Sequence, residues 1–515
     1  MDSLDVNNDR MRSGAPDREA LAHGSPAGKA APVVAIVGGG CAGTLVAANL
    51  LRRFEGRLRI LLIDRSARFG PGVAYATGDP GHLLNVPAER MSAFPDAPMH
   101  FAHWAAERLG GLEPASYLPR GVYGEYLQAV LADSRAEAFP QRTAELISDE
   151  VVGLRRTSAG IELGLAGSAT VVCDRVVLAT GAPGVSAMAE LPQDPRVADD
   201  PWAPGALRPL GADGLTLVIG TGLTGVDATL SACAAGGRVL ALSRGGQLPH
   251  AHLPGLRDPA PPPFIPRGSF TLAALERMLR AHVSAMQRLG YDWRDAIDGL
   301  RPVTPELWGA LRPGGRRRFL RERRRAWETR RHRMAPSAGL RLRELLASGR
   351  VQRSAGTVLS ARSGVDGVEV DVASGSGQVR TLRCGQVVLC TGPGMDVRHS
   401  GNPLLDALLA DGAASTDPLA LGLRSTAEGA LLDSCGHADG RLFVLGALRR
   451  GELWETTAVE EIRAQAERLA RTLESSLGGS VMYRDDLASG YGEQLDDETT
   501  RPLAASGHDR TEVLR

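Results

Sequence analysis

One local pattern occurs twice in this chain, and few folds can accept it: a β-branched run, a glycine turn in G-x-G-x-x-G spacing, then an Ala/Leu-rich stretch. In VVAIVGGGCAGTLVAANLLRR, residues 33–53, the run Val33–Val37 leads into Gly38, Gly40 and Gly43. The first glycine permits a tight turn, the second lets backbone approach a pyrophosphate, and the third lets the helix pack on the strand. The helix N-terminus then offers free N–H groups and a positive dipole to phosphate. RILLIDRS follows as a second buried strand ending at Asp64, where a carboxylate can accept from an adenosine ribose. LTLVIGTGLTGVDATLSACAAGGRVLALSRGG, residues 215–246, repeats the pattern with Gly220, Gly222 and Gly225, but its second strand ends in Ser243 and Arg244. A carboxylate there would repel a 2′-phosphate, whereas Ser and Arg bind one, so this site is expected to prefer NADPH.

Two more strands end alike, in DRVVLATGAPG and GQVVLCTGPG. Such ends mark the chain crossing between nucleotide domains in two-dinucleotide flavoproteins, with Thr180, Gly181 and Gly392 as expected FAD contacts. The expected fold is therefore α/β, with two Rossmann-like dinucleotide-binding domains, one interrupting the other, and a largely helical insertion. The FAD domain is expected at 31–200 and again at 345–475, with the NADPH domain and an Arg-rich insertion at 201–344. Residues 1–30 read as a disordered leader without a signal-peptide h-region, and 476–515 as a polar tail.

The arginines need a separate account. Residues 316–333 hold ten of them, which suggests a nucleic-acid arm, yet the formal net charge is +0. A polyanion binder carries a basic excess, and aromatic interleaving here is sparse. The stretch follows an expected amphipathic helix, FTLAALERMLRAHVSAMQRLG, and VTPELW, where Thr304 is expected as N-cap and Pro305 at the first helical position. Phe319, Leu320 and Trp327 are spaced to anchor one face, Glu322 and Glu328 to pair with neighbouring arginines, and Pro336 to stop the helix. Lys29 is the sole lysine, which removes Schiff-base and P-loop lysine chemistry from the body of the chain. The six cysteines form no C-x-x-C pair, so reduced, mostly buried thiols in a cytoplasm are expected, without dithiol chemistry or a zinc site. No apolar run reaches membrane-spanning length.

FGPGVAYATGDPGHLLNVPAERMSAFPDAPMHFAHW, residues 69–104, resembles the signature of a bacterial family of FAD/NAD(P)-binding proteins. YDWRDAIDGLRP, RHRMAP and LGALRRGELWETTAVEEIRAQA match the same family. Some of its members resemble single-component flavin N-monooxygenases. The best known of these N-hydroxylate L-aspartate, and some carry it on to nitrosuccinate. The resemblance implies FAD and NADPH as cofactors, dioxygen and a small amino acid as reactants, and attack of an unprotonated amine on a C4a-(hydro)peroxyflavin. It places Gly72 close to the cofactor and Leu84, Asn85 and Val86 along the isoalloxazine. Asn85 could then hydrogen-bond the flavin or its oxygen adduct, or simply cap its own turn.

In the last segment, Thr457 and Glu460 form a T-x-x-E capping box, and the helix start at Thr456 and Thr457 could face the reduced flavin's anionic edge. Arg331, His332 and Arg333 are expected to form a small-anion pocket, since an arginine fork takes a carboxylate at two points. His250 and His252 could touch nicotinamide or substrate, or be plain loop histidines. No residue stands out as a general base. A reductase or oxidase that oxygenates nothing, and a nucleotide-holding redox sensor, remain the rival readings.

Overall fold

The computed structural model describes residues 30–478 apart from 114, 183–187, 189, 204 and 212–213. The expected leader, and the tail from 479 onward, lie outside these residues.

The first unit runs β1 (Val33–Val37), α1 (Cys41–Arg53), β2 (Leu58–Asp64), α2 (Arg120–Ala138), β3 (Arg142–Ser148), then β4 (Arg175–Leu178). The chain next builds a second unit from β5 (Leu215–Ile219), α3 (Leu223–Ala234) and β6 (Arg238–Ser243). The insertion follows as α4 (Leu272–Arg288), α5 (Trp293–Asp298), α6 (Thr304–Ala310), α7 (Pro313–Arg318) and α8 (Arg324–Arg331). Then come α9 (Pro336–Ala347), β7 (Val351–Ala355) and β8 (Gln386–Leu389), and the chain ends with β9 (Ala430–Leu432), β10 (Ala438–Val444) and α10 (Val459–Leu477).

The first sheet has order β9-β10-β4-β1-β2-β3, and the second β7-β6-β5-β8 with a two-residue strand at Val197–Ala198 on its edge. The strands at the heart of each sheet pair in parallel, Ile36 facing Leu62 in one and Val218 facing Ala241 in the other. Parallel strands covered on both faces need continuous apolar runs, and β1 and β5 supply them. On one face of the first sheet, α1, α2 and α10 bury Leu45, Leu50, Leu127, Leu469 and Leu473.

Each unit also carries a three-stranded antiparallel meander between its βαβ core and its last parallel strand: 151–157, 160–165 and 170–173 in the first, 357–364, 367–373 and 379–384 in the second. This duplication corrects the expected boundary at 344. β7 pairs with β6 and β8 with β5, so the second unit extends to Leu389 and the first resumes only afterwards. The physical reason is that the meander belongs to the unit whose sheet it caps, and nothing local says which sheet that is. Gly392 moves with it. The backbone of Cys390 and Thr391 packs on Gly220, so Gly392 leaves the second sheet beside the second glycine turn rather than within the FAD half.

Three helix boundaries also differ from expectation. Thr304 sits inside α6, its hydroxyl donating back to the Leu300 carbonyl at 2.9 Å, and Val303 is the cap. The arginine stretch is α7, a π-helical turn over Phe319–Arg323, then α8, which ends at Arg331. Pro336 therefore starts α9 instead of stopping α8, a position proline favours because its missing N–H has no helical partner there.

Candidate functional site

The two glycine turns are built alike. Gly38 and Gly220 have φ of +109° and +108°, which favours glycine. A Cβ on Gly43 would lie 1.9 Å from the Gly38 carbonyl oxygen, and one on Gly225 2.0 Å from that of Gly220. Gly40 and Gly222 cap α1 and α3 with no side-chain capping bond, so the first helical N–H groups face outward. This is the bare backbone that a pyrophosphate needs, and the residues fit a dinucleotide at each turn.

At the first turn, Asp64 accepts from the Gly39 N–H at 2.6 Å and from Ser66. Gly72, with φ +56°, lies against Gly40, while Ala179, just before Thr180 and Gly181, packs on Gly38. At the second turn, the Thr221 hydroxyl donates to Ser243 Oγ at 2.8 Å, and Arg244 is exposed beyond it.

A cavity of about 430 Å³ opens among the Asn85–Arg90 loop, the 252–257 loop, α5, the end of α8, and the 450–463 segment. Asn85, Val86, Thr456 and Thr457 line it. Leu84 does not; it is buried in the first unit's core. The expected capping box does not form. The helix α10 begins at Val459, so Thr457 lies two residues outside it, and the Glu460 carboxylate goes to Arg301, which also holds Glu461. Thr456 is fully buried, donating to the Gly446 carbonyl at 3.0 Å and accepting from Gln465 at 2.7 Å.

A polar chain runs along the cavity wall, through Arg333 behind it. Asp298 Oδ2 takes the Arg333 guanidinium at 2.5 Å, Arg333 Nε donates to His252 Nδ1 at 3.3 Å, and His252 Nε2 donates to the Asn85 carbonyl at 3.1 Å. Burial, aided by the nearby Arg333 charge, pushes His252 down to about 4, so it is neutral at physiological pH and keeps one nitrogen as acceptor. Burial similarly lowers His332, which lines the cavity, to about 3. His250, exposed on the same loop, accepts the Met334 N–H through its carbonyl.

The Arg331–His332–Arg333 corner is thus anchored inside the protein. Arg333 is 0% exposed. Arg331 donates to Glu455 at 3.0 Å and lies 3.5 Å from Asp298. Glu455 is aimed there by a strained turn, since Trp454 has φ +61° and ψ −65° while the Glu455 N–H reaches the Leu453 carbonyl. Trp454 also stacks on Trp308, centroids 4.9 Å apart. Farther back in the stretch, Arg318 and Arg321 share Glu322 as expected.

Among the arginines that line the cavity, Arg257 is answered by Asp295, Arg294 by Asp292, Arg301 by Glu460 and Glu461, and Arg331 by Glu455. Arg450 has no carboxylate within 4.0 Å among the described residues, and its guanidinium touches only the Met395 sulfur, at 3.3 Å. Its motif, LRRGELW, was visible in the sequence. That its charge faces open space was not, because the carboxylates serving its neighbours come from distant segments.

A family model described as FAD-NAD(P)-binding matches residues 35–183. No curated protein matches the chain by sequence. Among solved structures, it is similar to the reduced form of ornithine hydroxylase from Pseudomonas aeruginosa at 15% identity and TM-score 0.56, covering 87% of this chain and 99% of the other. It is similar to the FAD-bound cadaverine monooxygenase of desferrioxamine biosynthesis from Erwinia amylovora at 14% and 0.55, covering 90% and 98%. It is similar also to the bacillithiol disulfide reductase Bdr from Staphylococcus aureus at 13% and 0.52, covering 87% and 98%. These likenesses show the two-dinucleotide flavoprotein fold. They span more than one chemistry, which leaves the choice to the site. No described helix is long and apolar enough to cross a membrane.

Proposed function

We propose that this FAD- and NAD(P)-binding protein is an NADPH-dependent monooxygenase that N-hydroxylates the primary amine of a small amino acid bearing an extra carboxylate, with L-aspartate as the first candidate. One structural neighbour is an ornithine hydroxylase and another a cadaverine monooxygenase, and the sequence signature resembles aspartate-type N-monooxygenases. Thiol chemistry is poorly served. Cys173, Cys233, Cys384 and Cys390 are buried, and burial pushes the Cys41 thiol up to about 12.

Arg450 carries the reading. The charge nearest to balancing it is Glu328, beyond 4.0 Å and shared with Arg324 and Arg325, so a ligand carboxylate would complete its neutralisation, and a planar fork suits one. Arg90 and Arg463 line the same cavity and reach only the carbonyls of Arg257 and Ser92, so a second carboxylate would also be met by positive charge. On this reading Arg331 in the cavity wall and Arg333 behind it hold Glu455 and His252 in place. Bound FAD, once reduced by NADPH, supplies the activated oxygen. The chain then has to present an uncharged amine. Cavity arginines disfavour an ammonium, and the neutral His332 adds no positive charge of its own. Asn85 offers an amide beside that position.

The test is NADPH oxidation by the FAD-loaded protein against L-aspartate, L-glutamate, L-ornithine, L-lysine and cadaverine, with hydroxylamine and peroxide scored separately. Hydroxylamine formation coupled to an acidic amino acid is expected. Peroxide alone with every amine would favour a reductase or oxidase, and a flavin that NADPH cannot bleach would favour a sensor.

A further inference from the structure

We infer that Arg325, on the inserted helix α8, is a phosphate-binding residue of the second dinucleotide site, closing over the second glycine turn to take the pyrophosphate common to NADPH and NADH. The inference rests on that turn holding a nicotinamide dinucleotide and is independent of what the enzyme oxidises. Arg325 Nη2 donates to Thr221 Oγ1 at 2.8 Å and to the Gln247 carbonyl at 3.1 Å. Thr221 is the residue between Gly220 and Gly222 and is itself bonded to Ser243 at the end of β6. Arg325 Nη1 lies 3.7 Å from where a Cβ on Gly222 would stand, and beyond Gly222 and its chain neighbours no other described heavy atom comes within 4 Å of that point. The guanidinium therefore bounds the space above the N-terminus of α3, whose first N–H groups have no side-chain cap.

Charge points the same way. Arg324 and Arg325 share one carboxylate, Glu328, at 3.8 and 3.9 Å, both too long for a hydrogen bond. Burial lowers the Arg325 pKa; Glu328 works against this, and the charges of Arg324 and Arg244 add to it. Three arginines around one acid leave an excess of positive charge, and a doubly charged pyrophosphate balances it. Part of the arginine stretch thus faces a small polyanion, the dinucleotide, while Arg318 and Arg321 remain surface pairs. Arg325 and Arg244 divide the work: Arg244 at the strand end suits the 2′-phosphate, Arg325 the bridge.

The experiment uses the FAD-loaded full chain and reads binding without turnover, by titrating NADPH and NADH anaerobically and by competition with ADP-ribose and adenosine 2′-monophosphate. Arg325→Met is expected to weaken NADPH, NADH and ADP-ribose together by ~10- to 100-fold, the range of a lost charged hydrogen bond, and to leave adenosine 2′-monophosphate unchanged. Arg244→Ala should weaken NADPH and adenosine 2′-monophosphate and spare NADH. Arg325→Lys, which keeps a point charge and the local packing, should show the same pattern with a smaller loss. Unchanged ADP-ribose affinity in Arg325→Met, or equal losses for ADP-ribose and adenosine 2′-monophosphate in both Arg325 variants, would overturn the assignment and reduce Arg325 to a strap between insertion and turn. Substrate hydroxylation is not read in any arm, so failure of the proposed activity leaves this result standing.

Discussion

Replacing Asp298 with Asn removes one charge and leaves another stranded. Arg333 is fully buried, and Asp298 is its sole carboxylate within 4.0 Å among the described residues, at 2.5 Å. Breaking a buried ion pair from one side costs about 3–5 kcal/mol, since the remaining charge stays desolvated. Asp298 itself keeps 22% exposure, and the other arginine it serves, Arg331, retains Glu455. Both facts place the expected loss near the low end, at about 3 kcal/mol. Urea unfolding followed by flavin and tryptophan fluorescence reads this as a lower midpoint at unchanged slope. The double variant Asp298→Asn/Arg333→Met removes both charges and should recover part of the loss, because no buried charge is left without its counter-charge, although His252 Nδ1 loses the Arg333 donor. A single-variant loss below about 1 kcal/mol, or a double variant as unstable as the sum of the singles, would refute the view of Asp298 as the counter-charge that permits a buried Arg333.

Three further outcomes are expected. Arg450→Met should raise the KM for an acidic amino acid by ~10- to 100-fold, as loss of a charged hydrogen bond does, with a smaller effect on an amine lacking the extra carboxylate; equal effects on both would remove Arg450 from carboxylate recognition. Gly225→Ala places a methyl 2.0 Å from the Gly220 carbonyl oxygen and should abolish NADPH-driven flavin bleaching while the protein stays yellow, whereas Gly43→Ala, at 1.9 Å, should yield protein with little flavin, both scored by absorbance. His252 has a folded pKa near 4, below its ordinary 6.5, so between those values the unfolded chain binds the extra proton. Stability should therefore fall as pH drops from about 6.5 towards 4 and be restored above that window, and His252→Gln should flatten this part of the urea-midpoint profile.

The glycine turns were legible because their demands are local. A positive φ at Gly38 and the close packing of Gly43 on it are satisfied within a dozen residues, so spacing alone announces them. The same holds for the amphipathic α4, whose apolar spacing lies within one segment. The domain boundary was not legible. The strands at 357–384 alternate in the same way whichever sheet they cap, and β7 reveals its allegiance only by lying beside β6.

Charge pairing failed for a related reason. The Thr457/Glu460 motif reads as a capping box until Arg301, 159 residues away in sequence, takes the glutamate. Arg331 meets a glutamate 124 residues away, Arg333 an aspartate 35 residues away, and Arg325 a threonine 104 residues away. Residue order by itself determined two glycine turns of the kind that receives a pyrophosphate, the first strand-end crossing between them and the run of arginines. Only tertiary packing decided which arginines are already neutralised and which, like Arg450, still face open space, because a counter-charge is found by proximity in space and an arginine carries no mark of its partner.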